Sequence, residues 1–182
     1  MDDFQIFGKL IKGGTATTGN VMDIAKLMAQ KIQAAGRNDS IQVGFIDGQP
    51  HANSQLSVAD LAKVLHFGNA TIPARPFLYD GILENKQAIT DAIQNHYKKI
   101  WESTSEQALY SKMSATMKKI AIVAIGGIKS FVYSGKYKDT LPNSESTIQH
   151  KSKKNKRSDV PLIDTAQMIN SLTYVINGEV KK

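Results

Sequence analysis

Two basic features are the parts of this chain best suited to chemistry. Lys151, Lys153, Lys154, Lys156 and Arg157 place five cations within seven residues, with no acid among them. Such a run suits sequence-independent, salt-sensitive contact with phosphate. It equally suits docking onto an acidic protein surface, or a solvated loop with no ligand at all. No aromatic residue lies between Gln149 and Val160, so stacking on single-stranded bases is not expected. The second feature is Arg75, set between Pro73 and Pro76. Its planar guanidinium suits clamping a carboxylate or several carbonyls. Asp164 is a candidate partner for a cation and a candidate helix cap.

Catalytic chemistry finds little support. His51, His66, His96 and His150 are scattered, with no pair at metal-ligand spacing on a helix, and there is no cysteine. No Gly-x-Ser-x-Gly elbow or phosphate-cradling glycine loop is present; Gly13-Gly14 and Gly126-Gly127 lack the flanking residues. No catalytic residue, cofactor or metal is therefore expected. His66 is expected to be a packing or capping residue at a helix end.

Of the 182 residues, 41% are hydrophobic and 21% charged, enough apolar side chain for a core without staples. The expectation is one α/β domain over 1–182 with a loop or arm excursion at about 134–160. Five of the seven net positive charges belong to the basic run, which leaves a nearly neutral body at +2. Absence of cysteine fits folding in a reducing cytosol. Met1-Asp2-Asp3-Phe4 lacks the basic start of a secretory signal, and Ile120–Ile125 is too short to span a bilayer. No membrane partner is expected.

The elements that must position these residues follow from periodicity. Phe4–Leu10 is mildly strand-like. Val21, Ile24, Met28 and Ile32 keep helical spacing, with Asn20 as cap and Gly36 as stop. Ile41–Ile46 alternates as a strand. Ser57 opens a second helix, with Asp60 in the capping-box position and Gly68 as its end. Pro73 and Pro76 keep Asn69–Pro76 irregular. From Phe77 to about Tyr133 the sequence predicts two helices. One carries the stripe Leu78, Ile82, Ile89, Ile93, Tyr97 and Ile100. The other, capped by Ser103 with Glu106, carries Leu109, Met113, Met117, Ile120, Ala124, Ile128 and Phe131. Residues Ser134–Val160 read as a long loop or extended arm. Asp164 is expected to cap a short helix over Thr165–Ser171, before a strand at Leu172–Ile176 and the turn signal Asn177-Gly178. The fold class expected is α+β: several helices including a long helical pair, packed on a small mostly antiparallel sheet, with an extended arm before the C-terminal strand.

Two segments carry identity. The first is Leu65-His66-Phe67-Gly68-Asn69-Ala70-Thr71-Ile72-Pro73-Ala74-Arg75-Pro76-Phe77-Leu78; the second is Pro161-Leu162-Ile163-Asp164-Thr165-Ala166-Gln167-Met168, continuing to Tyr174. In this order, with helices between them, they resemble the neck and tail-completion proteins of tailed bacteriophages, which include head-to-tail connector subunits and virion morphogenesis proteins. The first segment matches the family pattern nearly in full. The second departs from it at Ala166, where glycine is usual, and at Met168, where leucine is usual. Leucine to methionine conserves volume. The alanine suggests that this position is helical here.

The resemblance covers roughly Ser57–Tyr174 and implies a structural subunit. Such a subunit forms a homo-oligomeric ring, sixfold or alternatively twelvefold, at the head–tail junction of the virion. Its partners are neighbouring head-closure, portal-side and tail-tube or terminator proteins, with double-stranded DNA in the lumen. Assembly takes place in the host bacterial cytoplasm. Expected interface residues are Phe67, Ile72, Pro73, Arg75, Phe77, Pro161, Asp164 and Tyr174. The strand at Leu172–Ile176 and the 134–160 arm are the expected points of contact with other chains. Lys151, Lys153, Lys154, Lys156 and Arg157 are the candidate DNA or partner contacts. The alternative is a small DNA-binding protein that uses this 151–157 segment.

Overall fold

The computed structural model describes residues 18–37, 39–46, 49–52, 55–152, 159–164, 166–177 and 179–181. The strand expected at Phe4–Leu10 lies outside them, as do Lys153, Lys154, Lys156 and Arg157. The chain runs α1 (Thr18–Ala35), β1 (Ile41–Gly44), α2 (Val58–Phe67), α3 (Phe77–Glu84), α4 (Lys86–Trp101) and α5 (Glu106–Ser134). It continues with α6 (Tyr137–Thr140), α7 (Glu145–Ser152), α8 (Gln167–Asn170), β2 (Thr173–Ile176) and β3 (Glu179–Lys181). The fold is α+β: helices dominate and pack on a small antiparallel sheet.

Helix α5 is the axis of the structure. Its 29 residues span about 43 Å at 1.5 Å per residue. Leu109, Met113, Met117, Ile120, Ala124, Ile128 and Phe131 recur at three- and four-residue intervals, so they fall on one face, and all are buried. The Ser105 hydroxyl accepts from the Ala108 amide and starts the helix. Gly135, at φ 74°, ends it in the left-handed conformation that a side chain resists. Ser103 is therefore not the cap. It is 1% exposed and donates to the Lys99 carbonyl, closing the previous helix instead.

The expected single helix from Phe77 to Ser103 breaks at Asn85. The Asn85 amide turns inward and donates to the Val123 carbonyl of α5 at 3.0 Å. Gly127 makes room for it, since a Cβ there would lie 2.4 Å from the Asn85 amide nitrogen. One stripe thus becomes two shorter ones. Ile100 is fully buried, whereas Ile82, Ile93 and Tyr97 remain exposed.

All strand pairs are antiparallel, in the order β1-β2-β3. Ile41 faces Ile176, Val43 faces Tyr174, and Tyr174 faces Lys181 on the other side. Strand β2 is central, so both of its edges are used within the chain. This corrects the expectation that Leu172–Ile176 offers an edge to a neighbour; among the described residues the open edges are the outer ones of β1 and β3. The sheet packs against α5, where Val43 and Phe45 join Phe77, Ile128 and Leu172 in the main core. A second core of Ala34, Ile100, Leu109 and Met113 sits between α1, α4 and the first turns of α5.

Other expectations change in detail. Helix α1 begins at Thr18, before Asn20, and stops at Gly36 as read from sequence. The segment after α5 is not an extended arm: α6 and α7 occupy much of it, and Tyr137 and Val160 belong to the core. Asp164 does not cap a helix over Thr165–Ser171. Helix α8 is only four residues long and is preceded by Ala166 in a left-handed conformation, φ 60°.

Candidate functional site

The first motif is a tight turn held by its own polar groups. Helix α2 starts with the expected Ser57–Asp60 capping interaction and ends at Gly68. At φ 73°, Gly68 lies so close to the returning chain that a Cβ would sit 2.7 Å from the Ile72 carbonyl and the Ala74 nitrogen. The Asn69 side-chain oxygen accepts from the amides of Thr71 and Ile72. The Arg75 amide then donates to the Leu65 carbonyl at 3.0 Å, closing the loop back on α2. With the loop fixed, Phe77 is driven fully into the core, edge-on to Phe45 and His66.

Arg75 itself is only 5% exposed. Its Nε donates to the Leu141 carbonyl at 2.9 Å and its Nη2 to the Pro142 carbonyl at 2.8 Å. The guanidinium therefore clamps carbonyls of its own chain, the second of the two uses open to it from sequence. It binds the proline loop to the segment that follows α6. Nearby, the Tyr137 hydroxyl donates to the Asp80 carboxylate. Burial, reinforced by that hydrogen bond, raises the Tyr137 phenol above its ordinary range.

Lys151 mirrors Arg75. It is 7% exposed, and its Nζ donates to the carbonyls of Val160 (3.0 Å) and Ile163. Lys151 is thus no member of a solvent-facing basic run; it anchors the second motif. Gln167 continues the anchoring. Its Oε1 accepts from the Ala52 amide at 2.9 Å and its Nε2 donates to the Pro50 carbonyl at 3.0 Å.

These anchors bring the two motifs, about ninety residues apart, against one cleft of about 330 Å³. Arg75 lines it from the first motif, Asp164 and Gln167 from the second, and Thr147 and Lys151 from α7. Burial lowers the pKa of both cations, since it penalises their charged forms. Asp164, half-buried in the same wall, opposes this at Lys151.

The remaining site residues divide by exposure. Phe67 is 71% exposed and Pro73 is exposed; Ile72 and Tyr174 are half-buried, and Pro161 is buried. Arg75, Phe77 and Pro161, expected at an interface, are therefore internal and do not present a surface. Sequence reading missed the apolar residues Tyr79, Leu83 and Trp101, all more than half exposed. The signal for the first two was present, because Tyr79 and Leu83 stand four apart beside the Leu78–Ile82 stripe. A further groove of about 460 Å³ runs between α1, β1, α3, α4 and α5, lined by Ile41, Val43, Ile82, Ile93 and Tyr97. His66 packs as expected, against Phe67 and Phe77, and its Nδ1 is buried with no hydrogen-bond partner among the described residues. Among the described residues no helix is long and apolar enough to cross a membrane. Comparison of the chain with protein-family models, with curated proteins and with solved structures gives no match.

Proposed function

We propose that this chain is a structural subunit of the head-to-tail junction of a tailed bacteriophage. It is a neck or tail-completion protein that closes into a ring between the head connector and the tail, with DNA passing through the lumen. The observation that supports this reading best is that the two motif segments line one cleft, Arg75 from the first and Asp164 and Gln167 from the second. Segments that resemble one family's signature thus meet at one cleft, and the first of them leaves Phe67 and Pro73 exposed.

The work of such a subunit is geometric. A head-to-tail contact uses two different patches, and a ring closes when the rotation between neighbours divides the circle. Phe67, Tyr79 and Leu83 are all exposed apolar side chains, and burying them against a neighbour drives association. The outer edge of β1 can accept a strand from a neighbour. Sixfold symmetry is the favoured ring order, with twelvefold as the alternative.

The test is mass by light scattering on the purified protein, with class averages by electron cryomicroscopy. A closed ring with a lumen wide enough for duplex DNA is expected. A protein that stays strictly monomeric, alone and with phage tails present, overturns the proposal.

A further inference from the structure

We propose that the cleft between α7, the Pro73–Pro76 loop and the Leu162–Gln167 segment is a receptor for one carboxylate, presented by an acidic side chain of a protein partner. The first support is the charge that the fold buries there. Arg75 and Lys151 are both more than nine-tenths buried, and both line this cleft. Their hydrogen bonds go to backbone carbonyls, which are neutral acceptors. An ammonium has three N–H donors and a guanidinium five. The carbonyls take two from each, so donors remain on both groups to meet a ligand.

The second support is charge balance. Among the described residues neither cation forms an ion pair. Asp164 of the same lining acts on Lys151, as does Asp159, which is paired with Lys138, so the lining itself holds two cations and one carboxylate. One further negative charge neutralises the lining, and buried charge is stable only when it is paired. The incoming anion thus offsets the desolvation that burial imposes on Arg75 and Lys151.

Shape selects the source of the anion. Cations this deeply buried are reached by a charge on a thin, flexible stem. A glutamate or aspartate side chain has that form. A duplex phosphate, flanked by sugars on both sides, does not. The walls suit the stem, since Leu61, Leu65 and Met168 line the cleft beside the polar groups. The inference rests on this geometry and holds whether or not the chain forms a ring.

The experiment is a titration of the full chain, followed by amide chemical shifts, with N-acetylglutamate amide and with neutral N-acetylglutamine amide as control. Saturable shifts at Thr147, Asp164 and Gln167 are expected with the acid only. Thr147→Phe fills the cleft without removing a cation and is expected to weaken binding at least tenfold. Asp164→Asn removes the competing carboxylate and is expected to tighten it severalfold. If Thr147→Phe fails to fold, Thr147→Glu supplies the acid in cis and is expected to raise the unfolding midpoint and abolish the shifts. Equal shifts from the neutral control, shifts scattered over exposed lysines, or cleft shifts with a short DNA duplex but not with the acid overturn the proposal. A monomer that binds the acid overturns the ring and leaves the receptor standing; a ring that ignores the acid does the reverse.

Discussion

Gly81 of α3 lies directly on the Cα of Ile128 in α5: a Cβ on Gly81 would sit 2.7 Å from that backbone atom. The two helices touch backbone to backbone at this point, which sets how deeply α3 seats and where Phe77 enters the core. Gly81→Ala therefore has to part the helices, and overpacking of this kind costs roughly 1–3 kcal/mol. Gly126, on the exposed side of α5, has nothing within 4 Å of its own Cβ position. There the same substitution only removes a glycine's helix penalty, and Gly126→Ala is expected to stabilise by about 0.5–1 kcal/mol. Urea unfolding of both variants checks the contrast, and equal effects from the two would count against this crossing.

Ala166 holds a left-handed conformation at φ 60°, directly before α8. Non-glycine residues carry a penalty there of roughly 1–2 kcal/mol. Ala166→Gly is expected to recover about 1 kcal/mol, less the greater freedom that glycine gives the unfolded chain. The glycine usual in the resembled family at this position thus has a backbone reason. A thermal midpoint that falls on this substitution would show that the alanine methyl, half-buried beside the cleft, contributes more than the strain costs.

The buried face of α5 was legible because seven apolar residues repeat at helical spacing over twenty-three positions. Ser57 was legible because its cap is local. Asn85 was not, because the break depends on Val123 and on Gly127, some forty residues away in sequence. Lys151 was read with its charged neighbours because its composition matches theirs. Only the fold shows that it turns inward to the Val160 and Ile163 carbonyls. Ala166 was read as helical because alanine favours helices, whereas tertiary anchoring by Lys151 and Gln167 imposes the opposite hand.

Two histidines make stability depend on pH. His66 and His96 are both held below the ordinary value of 6.5, chiefly because burial disfavours the imidazolium; Asp80 opposes this at His66 and Asp39 at His96. Below about pH 6.5 the unfolded chain takes up protons that the folded chain refuses. Stability contributed by the neutral rings is therefore complete above 6.5 and declines as pH falls through and below it. Replacing His66 with leucine removes one of the two groups and also the unpartnered Nδ1. Urea midpoints measured across this range are expected to fall less steeply in His66→Leu than in the parent. Identical slopes would mean that His66 takes no part.

Phe67 and the basic run separate the two functional readings. Phe67 projects from the end of α2 with 71% of its surface exposed, so the folded chain gains little from it. Phe67→Asp is expected to change stability by no more than about 0.5 kcal/mol. If Phe67 lies in a ring contact, the same change places a charge in an apolar interface, and light scattering is expected to show loss of the ring. Replacing Lys153, Lys154, Lys156 and Arg157 with glutamine spares Lys151, whose bonds to Val160 and Ile163 hold the second motif. Ring mass is expected to survive that replacement, while any duplex retention weakens and loses part of its salt dependence. A dedicated DNA binder behaves the other way round: the glutamine variant loses duplex retention altogether, and Phe67→Asp leaves both mass and retention untouched. Measuring mass and duplex retention for each variant distinguishes a subunit that joins neighbours through an apolar patch from a protein whose work lies in its charge.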